Sequence, residues 1–221
     1  MAGITYLRRP ELIVFDCDGT LVATQRVWDS ACTSVCRQYG VSLDETERQG
    51  LVGLTLTDLG RTLANRFGLA GHASRISAEI EALVEANIGQ AISPLPGAVE
   101  IVTSLVGRCR LAVASNTHRK TVVGYLTKIG LLDAFDVVLG SDDVNLPKPA
   151  PDVYLAACAR LDVSPLAAIA IEDSATGVTS ARAAGLYVVG VSSAHVALEA
   201  DVNYSSLDDP NLRRILAGPW E

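Results

Sequence analysis

A chain of 221 residues, 49% of them hydrophobic, can bury a large core and has length for one full domain plus a smaller insert. Such a composition excludes a disordered chain. A formal net charge of −7 leaves no extended basic surface to neutralise a phosphate backbone, so a nucleic-acid partner is not expected.

Met1 to Pro10 lacks the apolar stretch of a signal peptide, and no apolar run approaches the roughly 20 residues that span a bilayer. A cytoplasmic location with no membrane partner is therefore expected, and no protein partner is evident. The five cysteines, Cys17, Cys32, Cys36, Cys109 and Cys158, are odd in number and irregular in spacing, unlike a disulfide framework. They read as reduced thiols packed in the core.

The first apolar run, Leu12 to Phe15, is short and continuous, as in a strand buried on both faces of a parallel sheet. The stretch from Thr24 to Gly89 differs: it has several helix-like segments and no convincing strand, which predicts an inserted helical subdomain. Breakers at Ser93-Pro94-Leu95-Pro96-Gly97 mark the return to the main domain. Further strands are predicted at Leu111 to Ala114, Val137 to Leu139, Ala168 to Ile171 and Leu186 to Val191. Between them lie helical patterns: Arg119 to Ile129 closed by Gly130, Pro151 to Leu161 opened by a proline, and Thr176 to Ala184 closed by Gly185. The alternation predicts an α/β fold with a doubly wound parallel sheet, its main domain formed by residues 1–22 and 92–221 around a helical insert at 23–91.

Four apolar runs end in reactive polar groups. Phe15 precedes Asp16-Cys17-Asp18-Gly19-Thr20, Ala114 precedes Ser115-Asn116, Leu139 leads into a loop reaching Lys148, and Ile171 precedes Glu172-Asp173. Each alone is an ordinary turn or helix cap. In an open parallel sheet, however, the carboxyl ends of the strands converge on one crevice, so all four should meet. Asp16, Asp18, Glu172 and Asp173 would repel one another there unless a cation sits among them or some are protonated. Hard carboxylate oxygens suit magnesium. Lys148, between Pro147 and Pro149, is held on a stiff extended segment that presents its ammonium at a defined place. Ser115 and Asn116, just before a helix start, can offer a hydroxyl, an amide and backbone N–H groups to an anion.

In this order the strings Asp16-Cys17-Asp18-Gly19-Thr20-Leu21, Ser115-Asn116, Lys148-Pro149-Ala150-Pro151-Asp152 and Glu172-Asp173-Ser174 with Gly177 and Ala184-Gly185 cover nearly the whole chain. The chain resembles the haloacid dehalogenase-like hydrolases, in the phosphatase branch whose helical cap follows the first strand. The resemblance implies a Rossmann-like core and a magnesium-dependent phosphatase of small phosphorylated metabolites. It makes Asp16 the nucleophile and a metal ligand. Asp18 becomes the general acid and base and a ligand through its backbone carbonyl, and Ser115 a phosphate contact. Lys148 neutralises charge, and Asp173, helped by Glu172, completes the magnesium site. Thr20, Asn116, Gly53, Thr55 and His118 are the further candidates for substrate contact, Gly53 and Thr55 from the cap loop. Cys17 should point into packing, opposite to Asp16 and Asp18.

The alternative within the family is a sugar-phosphate mutase of the β-phosphoglucomutase type. Such mutases carry an Arg in the cap loop and a His ten residues after the second aspartate, where this chain has Leu56 and Trp28. Arg61, Arg66 or Arg75 could restore the missing charge. Asp18 argues against a dehalogenase, and the complete set of reactive side chains argues against a non-catalytic binding member.

Overall fold

The computed structural model describes residues 9–192 and 197–218, so most of the segment Met1 to Pro10 read above lies outside the described residues. In chain order the elements are β1 (Leu12–Phe15), α1 (Gln25–Gln38), α2 (Glu45–Gln49), α3 (Leu56–Arg66), α4 (Ala73–Ala91), α5 (Ala98–Leu105), β2 (Arg110–Ala114) and α6 (Arg119–Lys128). There follow β3 (Val137–Leu139), α7 (Asp152–Arg160), β4 (Ala168–Glu172), α8 (Ala175–Ala183), β5 (Tyr187–Val191), β6 (Val202–Tyr204) and α9 (Pro210–Ala217). No helix of the described residues is long and apolar enough to cross a membrane.

The strands form one parallel sheet in the order β3-β2-β1-β4-β5-β6. β1 is central because all four of its side chains are apolar and buried, a pattern that only a strand covered on both faces can satisfy. Alternation divides the core in two. Ile13 and Phe15 join Leu111, Val113, Ile169 and Ile171 on one face; Leu12 and Val14 join Ala112, Ala114, Ala168 and Ala170 on the other. The small alanines let α7 and α8 lie close, through Tyr154, Ala157, Val178 and Ala181. Cys17 falls on the Phe15 side and is fully buried.

From β1 the chain runs to β2 on one side and, later, to β4 on the other. That reversal opens a crevice at the carboxyl ends of the central strands. Parallel register sets Phe15 level with Val113 and Ile171, so the next residues of three strands emerge side by side at its floor.

α1 through α4 stand over this edge. α1 packs on α4 and α3 on α4, with Val27, Ala31 and Val35 at helical spacing on α1 and Ile76, Ile80 and Val84 on α4 all buried. The two chain crossings that join this helical segment to the sheet are tied together, Ala23 N–H donating to Ser93 O at 2.9 Å and Leu95 N–H to Leu21 O at 2.9 Å.

Candidate active site

At the end of β1, Asp16 is buried, and its Oδ1 accepts from Lys148 Nζ at 2.7 Å. Its Oδ2 is buried without a hydrogen-bond partner. One oxygen of each of Asp16, Glu172 and Asp173 lies within 4.8 Å of the others. Burial pushes the Asp16 carboxyl well above the usual carboxylate range; Lys148 opposes this, while Glu172, Asp173 and Asp18 add to it. Asp173 is pushed up to about 7 by burial and then by Glu172. An orphaned carboxylate oxygen among under-neutralised acids, with an all-oxygen donor set, fits a hard divalent cation.

Lys148 sits between Asp16 and Glu172, 2.5 Å from Glu172 Oε1, with side chains only 3% and 0% exposed. Burial works against the ammonium, but Asp16 and Glu172 overcome it and hold the group well above the ordinary lysine value. The Lys148 backbone is clamped by Asn116, whose Oδ1 accepts from Lys148 N–H at 2.9 Å and whose Nδ2 donates to Lys148 O at 3.1 Å. The same Nδ2 donates to Gly53 O at 3.0 Å, which links the helical segment to the sheet edge across the crevice.

Glu172 faces Lys148 more than any open space. Tyr154 Oη donates to its Oε1 at 2.6 Å and Ser174 Oγ to its Oε2 at 3.2 Å. A Cβ on Gly177 would fall inside this carboxylate, so the glycine is there to admit Glu172. Replacing it sets helix propensity, which favours Ala by about 1 kcal/mol, against overpacking of a buried ionic cluster, which costs about 1–3 kcal/mol. The clash should win: Gly177→Ala lowers the thermal midpoint, and a raised midpoint in a melting experiment would contradict this packing. Gly19 has φ +84°, a conformation L side chains rarely adopt, and a Cβ there would strike the Asp173 carboxylate.

Asp18 is held from three sides. Trp28 Nε1 donates to Oδ1 at 3.2 Å, while Ser115 Oγ at 3.1 Å and Thr117 Oγ1 at 2.9 Å donate to Oδ2. Ser115 also caps the turn by accepting from Thr117 N–H at 2.9 Å. Thr20 Oγ1 lies 3.5 Å from Asp173 Oδ1.

One cavity of about 100 Å³ lies here, walled by Asp16, Asp18, Asn116, Lys148 and Asp173 below and by Trp28, Arg48, Gly53 and Leu54 above, with Glu172 and Tyr154 behind the wall. Three expected substrate contacts do not line it: Thr20 is buried with its hydroxyl beside Asp173, and Thr55 and His118 lie elsewhere. Thr55 is the N-cap of α3, its hydroxyl accepting from Asp58 N–H at 3.1 Å and donating to Asp58 Oδ2; it is not among the lining residues. His118 turns to Glu81 on α4, with Nδ1 2.5 Å from Oε1, and joins the helical segment to α6.

Thr117 and Tyr154 were not assigned to the site from sequence, and Trp28 was placed there only as the residue standing where a mutase His would be, without its bond to Asp18. A hydroxyl two residues after Ser115 is the one local signal for Thr117, and nothing near Tyr154 marks it. Arg48 was also missed. Among the arginines of the helical segment singled out from sequence, Arg61 pairs with Asp58, Arg66 with Glu47 and Arg75 with Glu79, and none of the three lines the cavity.

Comparison with known proteins gives a match to the family model described as haloacid dehalogenase-like hydrolase over residues 13–191. The chain is 31% identical over 217 residues to a bifunctional riboflavin kinase/FMN phosphatase of Arabidopsis thaliana, covering 95% of this chain but 56% of that protein. It is likewise 31% identical to fructose-1-phosphate phosphatase YqaB of Escherichia coli, with 81% of this chain and 95% of that one aligned. Among solved structures, CbbY from Rhodobacter sphaeroides in complex with phosphate superposes with a TM-score of 0.79 at 27% identity, over 90% of this chain and 96% of that one.

Proposed function

The chain belongs to the haloacid dehalogenase-like hydrolase family, and from that premise we propose that it is a magnesium-dependent phosphatase that hydrolyses a small phosphorylated metabolite through an aspartyl-phosphate on Asp16. The carrying observation is the Asp16 carboxylate, with one oxygen on the Lys148 ammonium and the other buried and unpartnered. A nucleophile needs this: charge support on one oxygen and the other left without a competing hydrogen bond.

In the proposed reaction a carboxylate oxygen of Asp16 attacks phosphorus as the ester P–O bond breaks, and Asp18 gives its proton to the departing alcohol. Asp18 then takes a proton from water as that water attacks phosphorus, which releases inorganic phosphate and restores Asp16. The Trp28, Ser115 and Thr117 donors hold Asp18 in place between the two steps. Lys148 offsets the negative charge shared by the nucleophile and the transferring oxygens, and Glu172, with Tyr154 behind it, keeps the ammonium aimed. Magnesium would be held by Asp16 and Asp173, with the Asp18 backbone carbonyl and Glu172 completing the set, and when bound it supplies further charge neutralisation of the phosphoryl group.

Residues 23–91 act in this reading as a cap over residues 1–22 and 92–221. Gly53, bonded to Asn116, closes the mouth and limits water. Thr20 supports Asp173. The cytoplasmic setting is part of the proposal and is supported by five free cysteines. Mutase action is disfavoured because a bisphosphate needs a cation on the cap side: Arg61, Arg66 and Arg75 are committed away from the cavity, and Arg48, which lines it, is bonded to Glu45 and Leu43 O.

The test is release of inorganic phosphate from p-nitrophenyl phosphate and from sugar monophosphates. Activity should appear with magnesium and disappear in EDTA, with calcium a poor substitute because its longer bonds and higher coordination number change how Asp16 is held. Full turnover in chelator would reject the metal-dependent site.

A further inference from the structure

The roof of the cavity carries its own chemistry. α1 presents Gln25 and Asp29 to the cavity one turn apart, a spacing that puts both on one face. Gln25 Nε2 donates to Asp29 Oδ1 at 2.9 Å. That bond leaves Asp29 Oδ2 and Gln25 Oε1 as acceptors and the second Gln25 N–H as a donor.

The roof's one cation, Arg48, is already engaged. Its Nε and Nη2 donate to Glu45 Oε2 at 3.2 and 2.9 Å, and its Nη1 donates to Leu43 O at 2.7 Å. These bonds turn three of the Arg48 N–H groups to partners outside the cavity lining, which leaves the Asp29 carboxylate as the roof's own negative charge. That charge is felt inside the wall: the buried Cys32 thiol, one turn along α1, is pushed up to about 12, first by burial and then by Cys36 and Asp29. The rest of the roof is apolar, with Leu51, Val52, Leu54 and Leu59.

We propose that Asp29 and Gln25 select the substrate: the part of the molecule beyond the phosphate is uncharged and hydroxylated, a polyol or sugar monophosphate, read by hydroxyl groups donating to Asp29 Oδ2 and Gln25 Oε1. A carboxylate or second phosphate at that position would face the Asp29 carboxylate, while Arg48 is held by Glu45 and Leu43 O, so 2-phosphoglycolate and bisphosphates are disfavoured against neutral esters. This deepens the phosphatase reading and rests on it.

The experiment compares kcat/KM of the wild type, Asp29→Asn and Asp29→Ala on three neutral esters (glycerol 1-phosphate, fructose 1-phosphate and sorbitol 6-phosphate), on 2-phosphoglycolate, and on p-nitrophenyl phosphate as a hydroxyl-free reference. The wild type should favour the best neutral ester over 2-phosphoglycolate by at least tenfold. In both variants the ratio of that ester to p-nitrophenyl phosphate should fall by about 10–100-fold, the usual effect of losing a hydrogen bond to a charged group. The ratio of 2-phosphoglycolate to p-nitrophenyl phosphate should rise. A merely structural role for Asp29 would scale all substrates together, and that result, or a wild type that prefers 2-phosphoglycolate, overturns the inference while leaving the phosphatase reading intact. Failure of the wild type to hydrolyse even p-nitrophenyl phosphate would overturn both.

Discussion

Asp16→Asn should abolish turnover, with kcat down by about 10⁴-fold or more, the scale on which loss of a catalytic nucleophile acts. The amide is nearly the same size, so the fold should survive. What changes is chemistry: the amide is a poor nucleophile, and it removes the anion that faces Lys148 at 2.7 Å. Because burial and the neighbouring acids push the Asp16 carboxyl up when no metal is bound, a neutral group at this position is better tolerated by the surrounding acids, and in EDTA the variant should melt at or above the wild-type temperature. Loss of activity with retained or raised stability separates a chemical role from a structural one. Wild-type kcat in the variant would remove Asp16 from the reaction.

Lys148→Met should lose both activity and stability. The ammonium lies between two buried carboxylates at 2.7 and 2.5 Å, and deleting one member of such a cluster leaves uncompensated charge at a cost of about 3–5 kcal/mol. Turnover should fall by about 10²–10³-fold or more, as for loss of a donor that stabilises transition-state charge. Lys148→Arg should not restore it. Nζ is buried between Asp16 and Glu172 with the Tyr154 ring centroid 5.1 Å away, and a larger planar guanidinium does not match the geometry a compact ammonium fills there. Single-turnover kinetics and a urea titration check the two effects. A variant within tenfold of wild-type kcat and unchanged in its unfolding midpoint would mean that Lys148 supports neither the nucleophile nor the cluster.

Strands β1 to β5 were legible because each is a short apolar run buried on both faces, and periodicity placed α6, α7 and α8 to within one residue at either end. β6 was not, since Val202–Tyr204 is a three-residue edge strand whose Val202 and Tyr204 are only half-buried, too short an alternation to stand out. α9 did carry a signal, as Asp209 caps it and Pro210 starts it, but its short apolar stripe, Leu212 and Leu216, is easily passed over.

At the site, the acids and Lys148 stand directly after strand ends, where topology alone brings them together. The groups that orient them come from farther away. Trp28 reaches Asp18 from α1, Tyr154 reaches Glu172 from α7, and Arg48 reaches the cavity from α2, and no local pattern records such meetings. Glu172 shows the limit most clearly. Sequence makes it one more carboxylate near a cation, whereas its burial against Lys148, Tyr154 and Ser174 makes it first an anchor for the lysine.

The central claim is that phosphate passes through Asp16. Reaction with a phosphate monoester and magnesium, quenched in acid within milliseconds and reduced with borohydride, converts an aspartyl-phosphate to homoserine. Peptide mapping should find homoserine at position 16 in the wild type and none in Asp16→Asn. Phosphate release at full rate with position 16 left as aspartate, or with the phosphoryl group trapped on another residue, would contradict the account.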